Sequence, residues 1–271
     1  YKEFDEKRYF EKGIKNKIMS INGVSIGISI CEDIWSEDFV KRLVDEGAEI
    51  ILNLSASPFT ISKKETRLQM LEDYYEKYNR PIIYVNQTGG QDELVFDGSS
   101  LVVGLEDNNS KILNSFKTDS ISLNYDELKF ISTTNEENLN PNKLDDIYDA
   151  LVLGTRDYVE KNGFKGVIIG SSGGIDSALT TVIAHDALGK EKVKTVMMPF
   201  DYTSDISLED AKSLAMNLEI SHSEISIKEM FEAFNKGLST SFNGLKADKT
   251  EENLQSRCRG VTLMALSNKL G

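Results

Sequence analysis

The sequence predicts an α/β protein built in two parts, and three observations carry that expectation. In each half, short apolar runs alternate with segments of helical periodicity. A polar stretch at residues 132–142, Ser-Thr-Thr-Asn-Glu-Glu-Asn-Leu-Asn-Pro-Asn, has no apolar periodicity and parts the two halves. A glycine-rich turn at residues 170–174 follows an apolar run and opens a helical one, as at the strand ends of a parallel sheet.

In the first half, residues 24–30 alternate like a strand, and residues 37–46 read as a helix stopped by Gly47. Residues 50–54 form a second apolar strand, followed by the Ser55-Ala-Ser-Pro58 turn. Residues 67–78 carry Leu68, Leu71, Tyr75 and Tyr78 on one helical face, and the helix must end before Pro81. A third strand at 82–86 precedes a hairpin-like section with Gly89-Gly90 and Asp97-Gly98, then the apolar run 100–104. Such alternation suggests a layered sandwich. After the polar stretch come a helix at 144–161, a strand at 165–170 and a helix at 175–188. A strand at 193–198, a helix at 207–217, a strand at 223–227, a helix at 228–237 and a last helix from about Thr250 complete the half. This is the grammar of a doubly wound parallel sheet, with ligands at the carboxyl ends of its strands.

Composition removes several function classes. With 31 basic and 44 acidic residues the net charge is −13, against a nucleic-acid surface. Cys31 and Cys258 are the two cysteines, so no disulfide framework is implied and a reducing, cytoplasmic setting fits. No apolar run reaches membrane-spanning length and no signal-like segment is seen. Tyr1 opens mid-pattern without Met and Gly271 closes on a helical pattern, so both ends are expected to be cut.

The segment Val-Ile-Ile-Gly-Ser-Ser-Gly-Gly-Ile-Asp-Ser-Ala at 167–178 can be read chemically. Converging backbone N–H groups, a helix dipole and glycines make an anion site. It is not a Walker loop: Asp176 and Ser177 stand where that loop has Lys and Ser/Thr. A carboxylate beside a phosphate cradle makes sense with Mg²⁺ between them. The stretch SGGIDS resembles the pyrophosphate-binding loop of the ATP pyrophosphatase (PP-loop) superfamily, which implies cleavage of ATP to AMP and pyrophosphate with adenylation of a substrate.

Cys31 sits at a strand end before Glu32, Asp33 and Trp35, and it reads either as a core residue or as a nucleophile. Neither His185 nor His222, both in the other half, offers it a base. YKEFDEKRYF at 1–10, ICEDIW at 30–35, NLSASPF at 53–59 and Lys63 resemble the C-terminal part of a carbon–nitrogen hydrolase (nitrilase-type amidase) domain. The resemblance implies a nitrilase-like α-β-β-α sandwich and Cys31 as nucleophile of a Cys–Lys–Glu triad. Tyr1, Glu32, Ser57 and Lys63 would then hold glutamine. The triad's Lys and Glu would precede Tyr1, so this half is expected to be inactive as it stands. Ser57 is open to a plainer reading as the turn residue before Pro58.

In the second half, LVLGTRDYVEKNGFKGVIIGSSGGIDSAL (151–179), MMPFDYTSDISLEDAKSLAMNLEI (197–220) and ENLQSRCRGVTLMALSNKLG (252–271) resemble the glutamine-dependent NAD⁺ synthetases. The family usually has Ser at Phe200, and Leu or Val near Ser171. The resemblance implies a ligase that amidates deamido-NAD⁺ to NAD⁺ with ATP and ammonia released from L-glutamine, through an NAD-adenylate. Gly170, Ser171, Ser172, Gly173, Gly174, Ile175, Asp176, Ser177, Met197 and Ser204 would bind ATP, with Asp176 on Mg²⁺. Asn253 and Arg257, four apart on one helical face, would meet deamido-NAD⁺. Met197 and Met198 read equally well as strand core. The expected division is a glutaminase part at 1–131, a linker at 132–142 and a PP-loop synthetase part at 143–271. A homo-oligomer is expected of the complete enzyme, and residues 1–271 alone are expected to be inactive. A different PP-loop ligase would not carry ICEDIW; a fragment that only binds ligand or oligomerises is the non-enzymatic alternative.

Overall fold

A computed structural model describes residues 8–11, 13, 17–106, 110–126, 129–132 and 143–270. They form two compact units, Tyr1–Gly89 with Glu93–Ala150, and Gly90–Asp92 with Leu151–Gly271. Of the expected linker, Ser132 closes a strand and residues 133–142 lie outside the described residues.

The first unit contains strands β1 (Lys17–Ile21), β2 (Val24–Ile30), β3 (Ile50–Ser55), β4 (Ile82–Asn86), β5 (Thr88–Gln91), β6 (Leu94–Asp97), β7 (Leu101–Val103), β8 (Ser110–Ile112), β9 (Leu123–Asp126) and β10 (Lys129–Ser132), with helices α1 (Glu37–Asp45) and α2 (Lys63–Tyr78). β1, β2, β3, β4, β7 and β8 form one six-stranded sheet in that order. β2, β3 and β4 are parallel, and their register pairs Ile30 with Leu54 and Ser55 with Asn86. Each crossover between these strands carries a helix, because parallel neighbours cannot be joined by a tight turn. β1, β8, β9 and β10 are strands that periodicity misses. The hairpin from β1 to β2 turns on Asn22-Gly23, both at positive φ (51° and 84°), the pair that a two-residue hairpin loop favours.

Alternation sorts the strand residues between two faces. Ile51, Ile82, Tyr84, Leu101 and Val103 pack with Val40 and Leu43 of α1 and Leu71 and Tyr74 of α2. Ile50 and Val102 on the other face meet Phe130, Leu123 and Tyr125 of the β9–β10 hairpin. α1 and the chain leaving it lie so close to β2 that a Cβ on Gly27 would come within 3.3 Å of Leu43 Cβ in the helix and 2.9 Å of Ala48 Cβ just beyond it. α2 begins at Lys63, a turn earlier than the apolar pattern marks, because Ser62 at φ 71° breaks the preceding chain and its carbonyl accepts the first helical N–H, from Thr66.

The second unit is built on β11 (Val167–Ser171), β12 (Val193–Met197) and β13 (Ser221–Glu224), all parallel and in sequential order among the described residues. The helices are α3 (Lys143–Lys161), whose first turns belong to the other unit, α4 (Ile175–Leu188), α5 (Asp205–Asn217), α6 (Lys228–Phe242) and α7 (Lys249–Leu270). Helices cover both faces of the sheet. Val167 and Ile169 join a cluster with Ala184 and Ala215, whereas Ile168 joins Ile227, Cys258, Phe231 and Leu263. β13 lies two residues earlier than its apolar residues suggest: the ladder runs through Ser-His-Ser-Glu, and Ile225 adds one further bond to Met197 O. α6 continues past Gly237, since that glycine faces open space and costs only about 1 kcal/mol relative to Ala.

Ile51 is fully buried at the centre of the larger sheet. Ile51→Ala should lower unfolding free energy by about 2–5 kcal/mol, read as a reduced denaturant midpoint at unchanged slope. A loss below about 1 kcal/mol would show that the sheet centre repacks freely.

Candidate active sites

At the carboxyl end of β2 the chain reverses direction. Cys31 takes a left-handed conformation, φ 47°, and opens a short 3₁₀ turn through Trp35. Asp33 closes that turn by accepting the Ile30 N–H at 3.0 Å. A non-glycine residue held at positive φ is a strained placement, and such strain recurs at functional positions. The half-buried thiol therefore stands at a corner and not along the strand.

Beneath Cys31 lies a layer of buried polar side chains. Asn53 of β3 donates to Ser29 Oγ (3.0 Å) and Cys31 O (3.4 Å), and accepts from Ser55 Oγ (2.6 Å). Asn86, ending β4, accepts from Ser57 N at 2.8 Å and donates to Gly98 O at 3.0 Å. Arg67 of α2 is 0% exposed and bonds Asp97 (2% exposed) at 2.7 Å. Its guanidinium carbon lies 5.9 Å from the centre of the Tyr84 ring. Burial pushes the Tyr84 phenol up, the Arg67 cation pulls it back, and Cys31 adds a smaller upward push. Tyr84 thus stays a neutral phenol close to the cysteine.

In the second unit, β11 runs into the turn at 172–174 and α4 begins at Ile175, with extended Gly174 at its start (φ −88°, ψ 160°). Gly173 has φ 76°, and a Cβ there would lie 2.3 Å from Ser207 O, so the loop rests directly on the first turn of α5. Ser172 and Ser177 tie the loop together. Their hydroxyls are 3.1 Å apart, Ser172 N donates to Ser177 Oγ (3.2 Å), and Gly174 N donates to Ser172 Oγ (3.2 Å). Ser204 caps α5 by accepting from Ser207 N at 3.2 Å. The N-termini of α4 and α5 therefore meet at one glycine-rich loop, a setting for anions.

Asp176 is exposed in the first turn of α4, and among the described residues no group of three or more His, Cys, Asp or Glu could hold a metal. A lone carboxylate beside a loop suited to anions still fits Mg²⁺, which keeps several waters and shares its remaining positions with phosphate oxygens.

The structure brings Cys31, Glu32, Ser57 and Lys63 to the carboxyl ends of β2 and β3 and to the start of α2. Tyr1 lies outside the described residues. Gly170, Ser171, Ser172, Gly173, Gly174, Ile175, Asp176 and Ser177 form the loop, and Ser204 stands at the neighbouring helix start. Met197 and Met198 are both buried, and Met198 packs in the core with Cys258 and Leu263, as strand core would. Asn253 and Arg257 are exposed on α7, whereas Arg259 turns inward and donates to Met198 O at 3.1 Å. Burial pushes the Cys258 thiol up against the opposing Arg259 charge, which leaves it a packing residue. Phe200 packs edge-on against Phe231. Asn53, Asn86, Arg67 and Asp97 are missed by sequence reasoning; an Asn within each of two apolar strands is the signal the sequence offers.

A cysteine corner on a mixed sheet and a glycine-rich loop on a parallel one mark two distinct units, and each unit matches a different family. Residues 2–112 match the carbon–nitrogen hydrolase family and residues 147–271 match NAD synthase. The two matches lie one after the other on a single chain. The glutamine-dependent NAD(+) synthetase of Acinetobacter baylyi is 43% identical over 275 residues, covering 100% of this chain and 50% of that protein. The one from Thermotoga maritima is 40% identical over 308 residues, covering 100% and 53%. The chain thus spans about half the length of the curated relatives it matches. The solved glutamine-dependent NAD⁺ synthetase of Acinetobacter baumannii, in complex with ADP, is 43% identical with a TM-score of 0.94, covering 100% of this chain and 51% of that one. A synthetase from Cytophaga hutchinsonii, 20% identical with a TM-score of 0.72 over 97% of this chain and 52% of that one, shares the fold.

The contact at Gly173 is testable. Gly173→Ala must move either the loop or the α5 backbone, and a side chain at φ 76° adds strain. The variant should lose at least tenfold in ATP affinity by calorimetry and drop several degrees in Tm. Unchanged ATP binding would mean that the loop does not form the phosphate cradle.

Proposed function

We propose that the protein of which this chain is part makes NAD⁺ from deamido-NAD⁺, drawing nitrogen from L-glutamine. The observation that carries this reading is the joining, on one chain, of a strand-end cysteine in a hydrolase unit to a serine- and glycine-built loop suited to anions in a synthase unit. We assign residues 1–131 to glutamine hydrolysis and residues 143–271 to ATP-dependent amidation, with 132–142 between them.

In the first unit Cys31 attacks the glutamine side-chain amide, forms a thioester and releases ammonia; water then frees glutamate. Glu32, Ser57, Lys63 and Tyr1 are assigned to holding glutamine. The carboxyl-end placement of Cys31 and Ser57 supports this, since their strands end side by side. In the second unit the nicotinate carboxylate of deamido-NAD⁺ attacks the ATP α-phosphorus and pyrophosphate departs. Ammonia then attacks the acyl-adenylate and AMP leaves. This chemistry is mostly positioning and charge stabilisation. The N–H groups of the 170–177 loop and the hydroxyls of Ser172, Ser177 and Ser204 hold the polyphosphate. Met197 contributes to the wall beside the loop, and Asn253 and Arg257 offer an amide and a cation to deamido-NAD⁺. Asp176 would hold Mg²⁺, which neutralises charge on the leaving pyrophosphate. Small anionic substrates, a cytoplasmic setting and a homo-oligomeric assembly complete the proposal. No helix among the described residues is long and apolar enough to cross a membrane.

Cys31→Ala in the complete polypeptide should abolish NAD⁺ formation from glutamine and leave formation from ammonia largely intact. Survival of the glutamine reaction would refute the nucleophile assignment. Asp176→Asn should leave Tm within a few degrees, because a first-turn charge contributes only about 0.3–1 kcal/mol. It should nevertheless remove synthesis from both nitrogen sources, as followed by pyrophosphate release. A variant that misfolds yet keeps Mg²⁺-dependent ATP affinity would give Asp176 a structural role instead.

A further inference from the structure

Asn86 occupies the last position of β4, where its amide reaches across to the chain leaving β3. Oδ1 accepts the Ser57 N–H at 2.8 Å, and Nδ2 lies 3.3 Å from Ser57 O, so one side chain holds both backbone groups of Ser57. Ser57 is followed by Pro58, which has no N–H to pair, and the corner lies beyond the β3–β4 ladder. Its backbone is therefore fixed by a side chain. The amide of Asn86 is itself oriented: Nδ2 donates to Gly98 O (3.0 Å), lies 3.4 Å from Asp97 Oδ1, and the main-chain N–H donates to Ser100 Oγ (3.0 Å). Asp97 is locked in turn by Arg67, at 2.7 Å. Nε and Nη1 of that guanidinium are buried without a hydrogen-bond partner. Burying a cation with these two nitrogens unpaired is costly, which sets the Arg67–Asp97 pair apart from an ordinary surface ion pair.

We propose that Asn86 is a positioning residue for glutamine, setting the Ser57–Pro58 corner just past the end of β3, beside the β2 end that carries Cys31, with the Arg67–Asp97 pair fixing the orientation of its amide. This rests on the reading that the first unit hydrolyses glutamine at Cys31. The ligand recognised through the corner is a small amide-bearing amino acid, and the effect of Asn86 falls on how that amino acid binds.

The test is steady-state NAD⁺ formation by the complete polypeptide, with glutamine and separately with ammonia. Asn86→Ala leaves the buried Ser57 N–H without its acceptor, and the KM for glutamine should rise about tenfold or more. kcat at saturating glutamine should stay within about threefold, and the ammonia-driven rate should not change. Asn86→Asp keeps an acceptor for Ser57 but faces Asp97 with a second carboxylate, with Arg67 the nearby cation. Its raised KM should recover as pH falls and the introduced carboxyl takes a proton, whereas that of Asn86→Ala should not. An unchanged glutamine KM in both variants, or equal losses with glutamine and ammonia, would overturn the proposal. If Asn86→Ala fails to fold, the pH profile of Asn86→Asp decides. Cys31→Ala run in parallel separates the two ideas. Glutamine-driven turnover surviving in that variant counts against the glutaminase reading, whereas its loss alongside an unaltered Asn86 variant counts against Asn86 alone.

Discussion

Parallel pairing makes neighbouring strands end on the same side of a sheet, and both units are organised by that constraint. In the first, the register of β2, β3 and β4 sets Ile30 beside Leu54 and Ser55 beside Asn86, so the residues that follow emerge as one cluster. In the second, Ser171, Met197 and Glu224 stand in line across three strands. The chain must leave each strand by a turn tight enough to reach the crossover helix. Cys31 and Gly173 sit in those turns at positive φ, one tolerating the conformation and the other requiring it. Sites of this kind are a by-product of sheet geometry that the side chains then exploit.

The same geometry explains what the sequence makes legible. Strands and helices that alternate around a parallel sheet carry strong apolar periodicity, and β2, β3, β4, α1, α3, α4 and α7 stand close to where that periodicity puts them. The loop motif is readable because its chemistry is local: glycine, serine and aspartate occupy consecutive positions. The buried polar layer is not local. Asn53 and Asn86 look like outward-facing residues of otherwise apolar strands, and Arg67 looks like the solvated start of a helix. They become interior only because partners 24 to 30 residues away in sequence fold over them. The β1–β2 hairpin escapes for the opposite reason: Asn22-Gly23 is a strong turn signal, but the polar residues before it disguise a strand.

The two cysteines illustrate how position outweighs residue type. Both follow or join apolar segments, and neither has a histidine beside it in sequence. Cys258 lies inward on α7 among Val196, Met198 and Ile227, where desolvation disfavours its thiolate. Cys31 stands at a corner with its carbonyl tied to Asn53 and a neutral phenol near by. One thiol fills space; the other is presented.

The serine pair in the glycine loop has a thermodynamic meaning for any anion that enters. Ser172 and Ser177 already bond each other, and Gly174 N already bonds Ser172. An arriving oxyanion finds these hydroxyls already engaged and trades places with their present partners, so the donors it gains outright are the first-turn N–H groups of α4, which have no partner inside the helix. What remains to drive association is charge, through the ends of α4 and α5 and whatever cation accompanies the anion. Affinity built on that footing is set by the anion's valence and by ionic strength more than by its shape.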